Sequence, residues 1–329
     1  MTILRVACKS GVMVVANMIT TRSKASLSRG VMASGFNRRQ TPGGVLVGRS
    51  PAGVGALDSL YASRSFRTSH SQQAVLNLSP KRLGGVWRLF STFKSEVAGE
   101  AETTDFRIFF KDSSGNSVSP WHDIPLKAGS DGTFNFICEI PKETSAKMEV
   151  ATDENLTPIK QDIKKGNLRF YPYNINWNYG LFPQTWEDPG HIDKDCEVAG
   201  DNDPVDVVEI GSTQLDMGGV YKVKVLGVYA MIDDGELDWK VITINVDDPK
   251  ASMVNNVADI EKEFPGELEK ILIWFRDYKM PDGKPQNKFG YDNKCLDKDF
   301  ALKVIDETHA FYNKLKSGAR ENTEELSLT

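Results

Sequence analysis

Apolar and polar residues alternate in several short runs of the chain, a pattern that predicts β-strands half buried against a core. Polar segments with glycine or proline separate these runs and predict turns. One turn contains an Asp-Gly step, Asp234-Gly235, between two β-branched runs, which is typical of a β-hairpin. The predicted strands cover residues 106–110, 132–141, 144–150, 205–210, 221–232 and 239–246.

Two later segments change to helical periodicity and predict amphipathic helices at residues 265–277 and 299–316. Many short strands followed by two helices predict an α+β fold: a compact, mainly antiparallel β-barrel with helices packed outside it. The apolar residues that recur at helical spacing are Leu268, Ile271, Leu272 and Phe275 in the first segment, and Phe300, Val304, Phe311 and Leu315 in the second.

Composition divides the chain near residue 95. Residues 1–95 contain fourteen Lys or Arg residues but a single acid, Asp58. A basic, acid-poor segment of this kind is typical of an organelle transit peptide. We therefore predict a transit peptide and disordered leader at residues 1–95 and a single domain at residues 96–329. The apolar run 11–16 is too short to span a membrane, and a secretory signal is the weaker interpretation.

Charge separates the two parts further. The whole chain carries −5 and the leader contributes +13, so residues 96–329 carry −18. Nucleic-acid binding needs a basic face, so the charge argues against a nucleic-acid partner and suits an enzyme that collects metal cations. We expect no membrane partner. The four cysteines form no CxxC pair, which indicates a reducing compartment, and the four histidines lack zinc spacing.

The segment GDNDPVDVVEIG at residues 200–211 holds three carboxylates, Asp201, Asp203 and Asp206, directly before a β-branched run. Two carboxylates about 4 Å apart repel by roughly 4 kcal/mol at an effective dielectric near 20, so a shared cation would stabilise them. Strict alternation separates Asp206 from the other two, and convergence requires a bend, which we place at Pro204. Oxygen ligands suit Mg²⁺ or Ca²⁺.

Two alternatives compete with a magnesium site. An EF-hand fails because its sixth position, where Gly is required, is Asp206, and its twelfth, where Glu is required, is Ser212. A polar turn with capping aspartates stays open from this segment alone. The rest of the chain makes it weaker, because the predicted hairpin places a second group, Asp233, Asp238 and Lys240, at its mouth.

Further charged residues complete a mixed set of acids and bases. A site that contains carboxylates together with Lys and Arg suits metal cations and an anionic substrate, and phosphate fits best. No glycine-rich nucleotide loop is present, so a small phosphate compound is predicted. The full set is Glu139, Glu149, Asp201, Asp203, Asp206, Asp233 and Asp238 with Lys147, Arg169, Lys240, Lys279, Tyr179 and Tyr278.

Residues 200–211 resemble the signature of the soluble family I inorganic pyrophosphatases, Asp-x-Asp-Pro-x-Asp before a small apolar residue. The resemblance extends over about residues 104–317, through five more motifs in the family's order: EIPKETSAKMEV, PIKQDIKK, NYGLFPQTWEDP, MIDDGELDWK and WFRDYKMPDGKP. It implies a five-stranded, OB-like barrel with peripheral helices and Mg²⁺-dependent hydrolysis of pyrophosphate to two phosphates. The YPYNINWNYG stretch and the short C-terminal end look most like the plastid type of plants and algae.

Matched positions imply a role for each candidate residue. Asp201, Asp206 and Asp238 would hold a first metal ion, and Asp203 would be the general base for the attacking water. The resemblance also implies that Asp206 touches a second metal, that Asp233 and Glu149 serve metals arriving with substrate, that Lys147, Arg169, Tyr278 and Lys279 hold phosphoryl oxygens, and that Lys240, Tyr179 and Glu139 complete the cleft.

The sequence departs from the fungal and animal members at two places. They have Arg-Trp where this chain has Lys142-Glu143. They also carry an additional active-site tyrosine. Tyr173 could take its place, but the alignment of this segment is ambiguous. Monomer and homodimer both stay open, as do plastid stroma and mitochondrial matrix, with the plastid favoured. Two other functions compete with hydrolysis of pyrophosphate. One is a non-catalytic metal- or phosphate-binding barrel, and the other is an oligonucleotide-binding barrel, which the charge of −18 opposes.

Overall fold

The computed structural model describes residues 92–329, and the predicted transit peptide lies almost wholly outside them. Within these residues there are three α-helices: α1 (Val257–Glu263), α2 (Glu267–Asp277) and α3 (Lys298–Lys316). The strands are β1 (Lys94–Ala98), β2 (Arg107–Lys111), β3 (Ser117–Val118), β4 (Phe134–Ile140), β5 (Met148–Val150), β6 (Ile159–Gln161), β7 (Ile163–Lys164), β8 (Asn167–Leu168), β9 (Asn178–Leu181), β10 (Asp206–Glu209), β11 (Val220–Asp233), β12 (Glu236–Asn245) and β13 (Lys288–Phe289).

The main sheet has the strand order β12-β10-β9-β4-β11-β13, and β11 also pairs with β12. These pairings connect five strands in a ring, in which only β10 and β12 run parallel. A second sheet has the order β1-β2-β6-β5, with β3 paired to β2. The predicted α+β class is confirmed in this coarse form; the main sheet is mixed, and the second sheet is antiparallel.

Alternate residues of the ring strands face two different cores. Val207 and Val241 pack in a cluster with residues of α3, whereas Val208 and Ile242 pack in a cluster with residues of α1 and α2. The strands therefore bury both faces. Their near-continuous apolar sequence follows from this double burial.

Two local backbone features allow the ring strands to meet. Asp234 and Gly235 both have positive φ, 50° and 99°, as a tight two-residue hairpin turn requires. On β9, a side chain at Gly180 would place its Cβ only 2.0 Å from the carbonyl oxygen of Ile137. Only glycine allows β9 to approach β4 this closely.

Both predicted helices are present in the structure, together with one short helix that was not predicted. α2 and α3 occupy the two predicted segments, starting at Glu267 and Lys298. The short helix α1 was not predicted, since its seven residues contain one fully buried position, Ile260. Its start is marked by Asn256, whose side chain accepts a hydrogen bond from Asp259 N at 3.0 Å. No helix among residues 92–329 is long and apolar enough to cross a membrane.

Candidate active site

Side chains from six strands and from the end of α2 line an open cleft of about 260 Å³. Twelve of the thirteen candidate residues from the sequence line it, and Arg169 lines an adjoining region that shares Lys147, Tyr278 and Lys279 with the cleft. The twelve are Glu139, Lys147, Glu149, Tyr179, Asp201, Asp203, Asp206, Asp233, Asp238, Lys240, Tyr278 and Lys279.

The first acidic loop bends earlier than the sequence suggested. The chain bends at Asn202 and Asp203, with Asn202 in the left-handed region at φ 75°, so the bend predicted at Pro204 is wrong. Asp203 N donates to the carboxylate of Asp201 at 3.0 Å, and Trp186 Nε1 donates to the Asn202 side chain at 3.1 Å. The left-handed residue brings all three aspartates to one cleft.

The second acidic segment is aligned with the first by the parallel pair β10–β12. Asp206 lies opposite Lys240 in this pairing. Lys240 is 1% exposed, and its Nζ donates to the carboxylates of Asp206 and Asp238 and, at 2.9 Å, to the hydroxyl of Tyr179. One buried ammonium group therefore connects the two acidic segments.

Burial and mutual repulsion raise the pKa of several of these carboxyl groups. The pKa of Asp201 is well above its usual value, first because the group is desolvated and then because Asp238, Asp203 and Asp206 are near. The pKa of Asp238 rises to about 8 by burial, although Lys240 opposes the rise. A cation between the two segments would favour the ionised forms of both groups.

Asp203 differs from its neighbours in its access to solvent. Its side chain is exposed, and within residues 92–329 its carboxylate has no hydrogen bond or ion pair. The surrounding cleft raises its pKa to about 7, through desolvation first and the charge of Glu149 next. The open access to water limits this shift, but the group is placed as a proton acceptor requires.

The basic side of the cleft is held by acids. Lys147 Nζ lies 2.6 Å from Glu149 and 3.0 Å from Asp162, which also accepts from Arg169. Lys279 donates to Asp233, and Tyr278 donates to the same carboxylate at 3.2 Å. Helix α2 ends at Asp277 and so delivers Tyr278 and Lys279 to the cleft.

Glu139 lies at the floor of the cleft and is 4% exposed. Its carboxylate accepts a hydrogen bond from Val150 N at 2.6 Å, which ties β4 to β5. Burial, and then the nearby charge of Asp206, raises the pKa of Glu139 well above its usual value. The residue is therefore placed to support Glu149, the neighbour of Val150 on β5.

Sequence reasoning missed three residues of the site. Tyr171 is buried and lines the cleft, whereas Tyr173 is 40% exposed and packs on Trp274 outside it. Asp162 pairs with both Lys147 and Arg169. The sequence YPYNINWNYG could not show whether Tyr171 or Tyr173 lines the cleft. The two residues are two positions apart and would lie on the same face of a strand.

The third missed residue, Glu187, forms hydrogen bonds with the backbone of both acidic segments. It is buried, and both of its carboxylate oxygens accept from Trp239 N at 3.2 Å. Its own backbone N donates to Asp203 O at 2.9 Å. The motif TWEDP contains it, but nothing in the local sequence shows that its side chain turns inwards.

The donor set fits divalent metal ions. All of the acids in the cleft offer oxygen ligands, which Mg²⁺ prefers. Burial, and then repulsion between neighbouring carboxylates, raises the pKa of Asp201 and Asp238, and a bound cation would offset both effects. Among the described residues no three acid, His or Cys side chains already converge as metal ligands. Lys240 instead stands between Asp206 and Asp238.

Comparison with known proteins identifies the family. Residues 136–313 match the family model "Inorganic pyrophosphatase", which is more than half of the chain. The chain belongs to the inorganic pyrophosphatase family. The predicted family and the prediction of an inorganic diphosphatase are therefore confirmed, and the metal dependence of the family agrees with the acidic cleft.

Two relatives among curated proteins share the plastid type. The chain is 68% identical to the soluble inorganic pyrophosphatase 1, chloroplastic, of Chlamydomonas reinhardtii over 274 residues, which cover 82% of this chain and 97% of that protein. It is 64% identical to the soluble inorganic pyrophosphatase 6, chloroplastic, of Arabidopsis thaliana over 223 residues, which cover 68% of this chain and 74% of that protein. The predicted plastid location is confirmed.

A solved structure supports the fold of this pyrophosphatase. The type I inorganic pyrophosphatase from Toxoplasma gondii superposes with a TM-score of 0.66 at 47% identity, and the match covers 68% of this chain and 99% of that one. The mixed sheets with few helices described above are therefore those of the type I enzymes.

Proposed function

We propose that this chain hydrolyses inorganic pyrophosphate to two phosphates with Mg²⁺ as its metal ion. The observation that carries the proposal is the meeting of two acidic segments, around Asp203 and Asp238, with the cations Lys147 and Lys279 in one cleft. Carboxylates bind Mg²⁺, and Lys or Arg neutralises phosphoryl oxygens. Such a cleft suits a small, highly charged anion that binds together with metal ions.

The metal ligands are those that the family resemblance implies at matched positions, and the cleft brings these residues together. Asp201, Asp206 and Asp238 would hold the first ion and Asp206 would also contact the second, while Asp233 and Glu149 would serve ions that arrive with substrate. Bound ions of this kind lower the pKa of a shared water and offset the charge of phosphoryl oxygens.

Asp203 is proposed as the general base that takes the proton of the attacking water. Its free, solvent-accessible carboxylate and its raised pKa support this role, because a base is most effective when its pKa lies near the working pH. Asp201 accepts the backbone N–H of Asp203 and so fixes its position.

The basic residues are proposed to bind the two phosphoryl groups. Their positive charges would offset the negative charge that develops on the leaving phosphate. The acids that pair with them, Asp162 and Asp233, would hold the cations in position before substrate arrives. The proposed phosphate ligands are Lys147, Arg169, Tyr278 and Lys279, with Tyr179 and Lys240 beside them and Glu139 beneath.

We also propose that the chain consists of one enzyme domain preceded by a transit peptide. Residues 96–329 would form the single enzyme domain of the plastid stroma, and residues 1–95 would contain the transit peptide. Processing upstream of β1 would preserve the pairing of that strand with β2. The ring formed by β4, β9, β10, β11 and β12 is proposed to be the five-stranded, OB-like barrel.

The proposed activity is tested by measuring phosphate release from pyrophosphate. We expect turnover with Mg²⁺ and its loss when EDTA removes the metal, because the carboxylates alone would repel the substrate. A catalytically inactive phosphate-binding barrel is the second candidate. Binding of pyrophosphate without phosphate release above the metal blank would favour that candidate and refute the proposal.

A further inference from the structure

The charge of the cleft raises the question of how an anion reaches it. Nine acids and three lysines line the cleft, and residues 96–329 carry a net charge of −18. Like charges repel over about 8 Å at physiological ionic strength. An approach through most of this surface is therefore unfavourable for pyrophosphate.

One side of the cleft has the opposite charge. The region that adjoins it is lined by five cationic side chains and by a single acid, Asp282. We call this the outer basic region; its cations are Lys147, Lys164, Arg169, Lys279 and Lys284. Three of these are proposed phosphate ligands, whereas Lys164 and Lys284 have no role in the proposed reaction.

Lys164 and Lys284 come from two separate elements. Lys164 lies on β7, in the exposed β7–β8 hairpin, whose turn residues Lys165 and Gly166 have φ of 54° and 80°. Within residues 92–329 its ammonium group has no hydrogen bond or ion pair. Lys284 follows the loop after α2 and lies 2.5 Å from Asp234 at the hairpin turn between β11 and β12.

The unpaired charge of Lys164 has no structural use among the described residues. An exposed lysine on a two-residue strand contributes little to folding. Its position beside Arg169 instead extends the positive charge of the phosphate ligands outwards to the surface. Lys284, in the loop after α2, extends the positive charge of Lys279 outwards in the same way.

We propose that Lys164 and Lys284 form a capture site that attracts the anionic substrate and leads it past Arg169 and Lys279 into the acidic cleft. This inference rests on the proposed function, because it assumes a pyrophosphate-like anion. Local positive potential at the mouth of a cleft raises association rates by about 10- to 1,000-fold, and salt reduces the effect. The two lysines therefore act on substrate entry and leave the chemical step unchanged.

The test compares kcat and kcat/KM for pyrophosphate, at saturating Mg²⁺ and at low and high ionic strength. The K164Q/K284Q double variant is expected to lose about tenfold in kcat/KM at low ionic strength and to keep kcat. The loss should shrink at high salt. K164Q alone breaks no ion pair and should show the same pattern at smaller amplitude.

A matched control separates local charge from net charge. K294Q/K303Q removes the same two charges from exposed lysines that line neither the cleft nor the outer basic region, and Lys294 has a surface partner, Asp292, as Lys284 has Asp234. We expect its kcat/KM to stay within twofold of wild type. An equal loss in this control, an unchanged kcat/KM in K164Q/K284Q, or a loss that salt does not reduce would overturn the capture site. An inactive wild-type protein would instead refute the proposed function.

Discussion

Replacing Asp203 with asparagine is expected to lower kcat for pyrophosphate hydrolysis by about 10²- to 10⁴-fold. Asparagine keeps the size of the side chain but cannot accept the proton of the attacking water. Because the Asp203 carboxylate has no partner among the described residues, the change breaks no contact there. Thermal unfolding and Mg²⁺ titration calorimetry should therefore give nearly wild-type values, while steady-state phosphate release falls.

Glu236→Gln is the control for this prediction. Glu236 lines the same cleft and its carboxylate also has no partner among the described residues, so the substitution removes an equal charge at a similar place. We expect its kcat to stay within a few-fold of wild type. If D203N keeps the wild-type rate, or E236Q loses as much as D203N, Asp203 is not the base.

Lys240→Met is expected to lower the free energy of unfolding by about 3 kcal/mol in EDTA. The substitution removes the ammonium group that neutralises Asp206 and Asp238 and leaves these carboxylates in a largely buried site. Excess Mg²⁺ should restore part of the loss, because a divalent ion can supply the missing charge. Urea unfolding curves with EDTA and with Mg²⁺ measure both effects.

Lys303→Met serves as the matched control, since Lys303 is exposed on α3 and has no side-chain partner among the described residues. Its unfolding free energy should change by less than about 0.5 kcal/mol. The account of Lys240 would be wrong if K240M were as stable as wild type, or if Mg²⁺ stabilised it no more than it stabilises wild type.

The parts of the site that depend on local sequence could be predicted. The Asp-Gly turn fixes the hairpin that presents Asp233 and Asp238, and alternation along a strand places Asp238 and Lys240 on one face. The same rule places Lys147 and Glu149 together. These relations need only the two-residue period of a strand and the backbone requirements of a short turn.

Features that depend on distant contacts could not be predicted. The left-handed conformation of Asn202 is held by Trp186, sixteen residues away in sequence. Tyr171 rather than Tyr173 enters the cleft because Tyr171 packs on Trp274 of α2 and on Tyr278, which directly follows α2. The parallel pairing of β10 with β12 depends on which strands meet when the ring closes, and alternation within each strand carries no information about that.

The central claim is that the acids of two separate segments bind divalent ions in one cleft together with a diphosphate. Anomalous scattering from crystals grown with Mn²⁺ and a non-hydrolysable pyrophosphate analogue tests it most directly. We predict a manganese peak in contact with Asp201, Asp206 and Asp238, with the analogue between this peak and Lys279. Manganese bound elsewhere, or an analogue bound away from these aspartates, would contradict the claim.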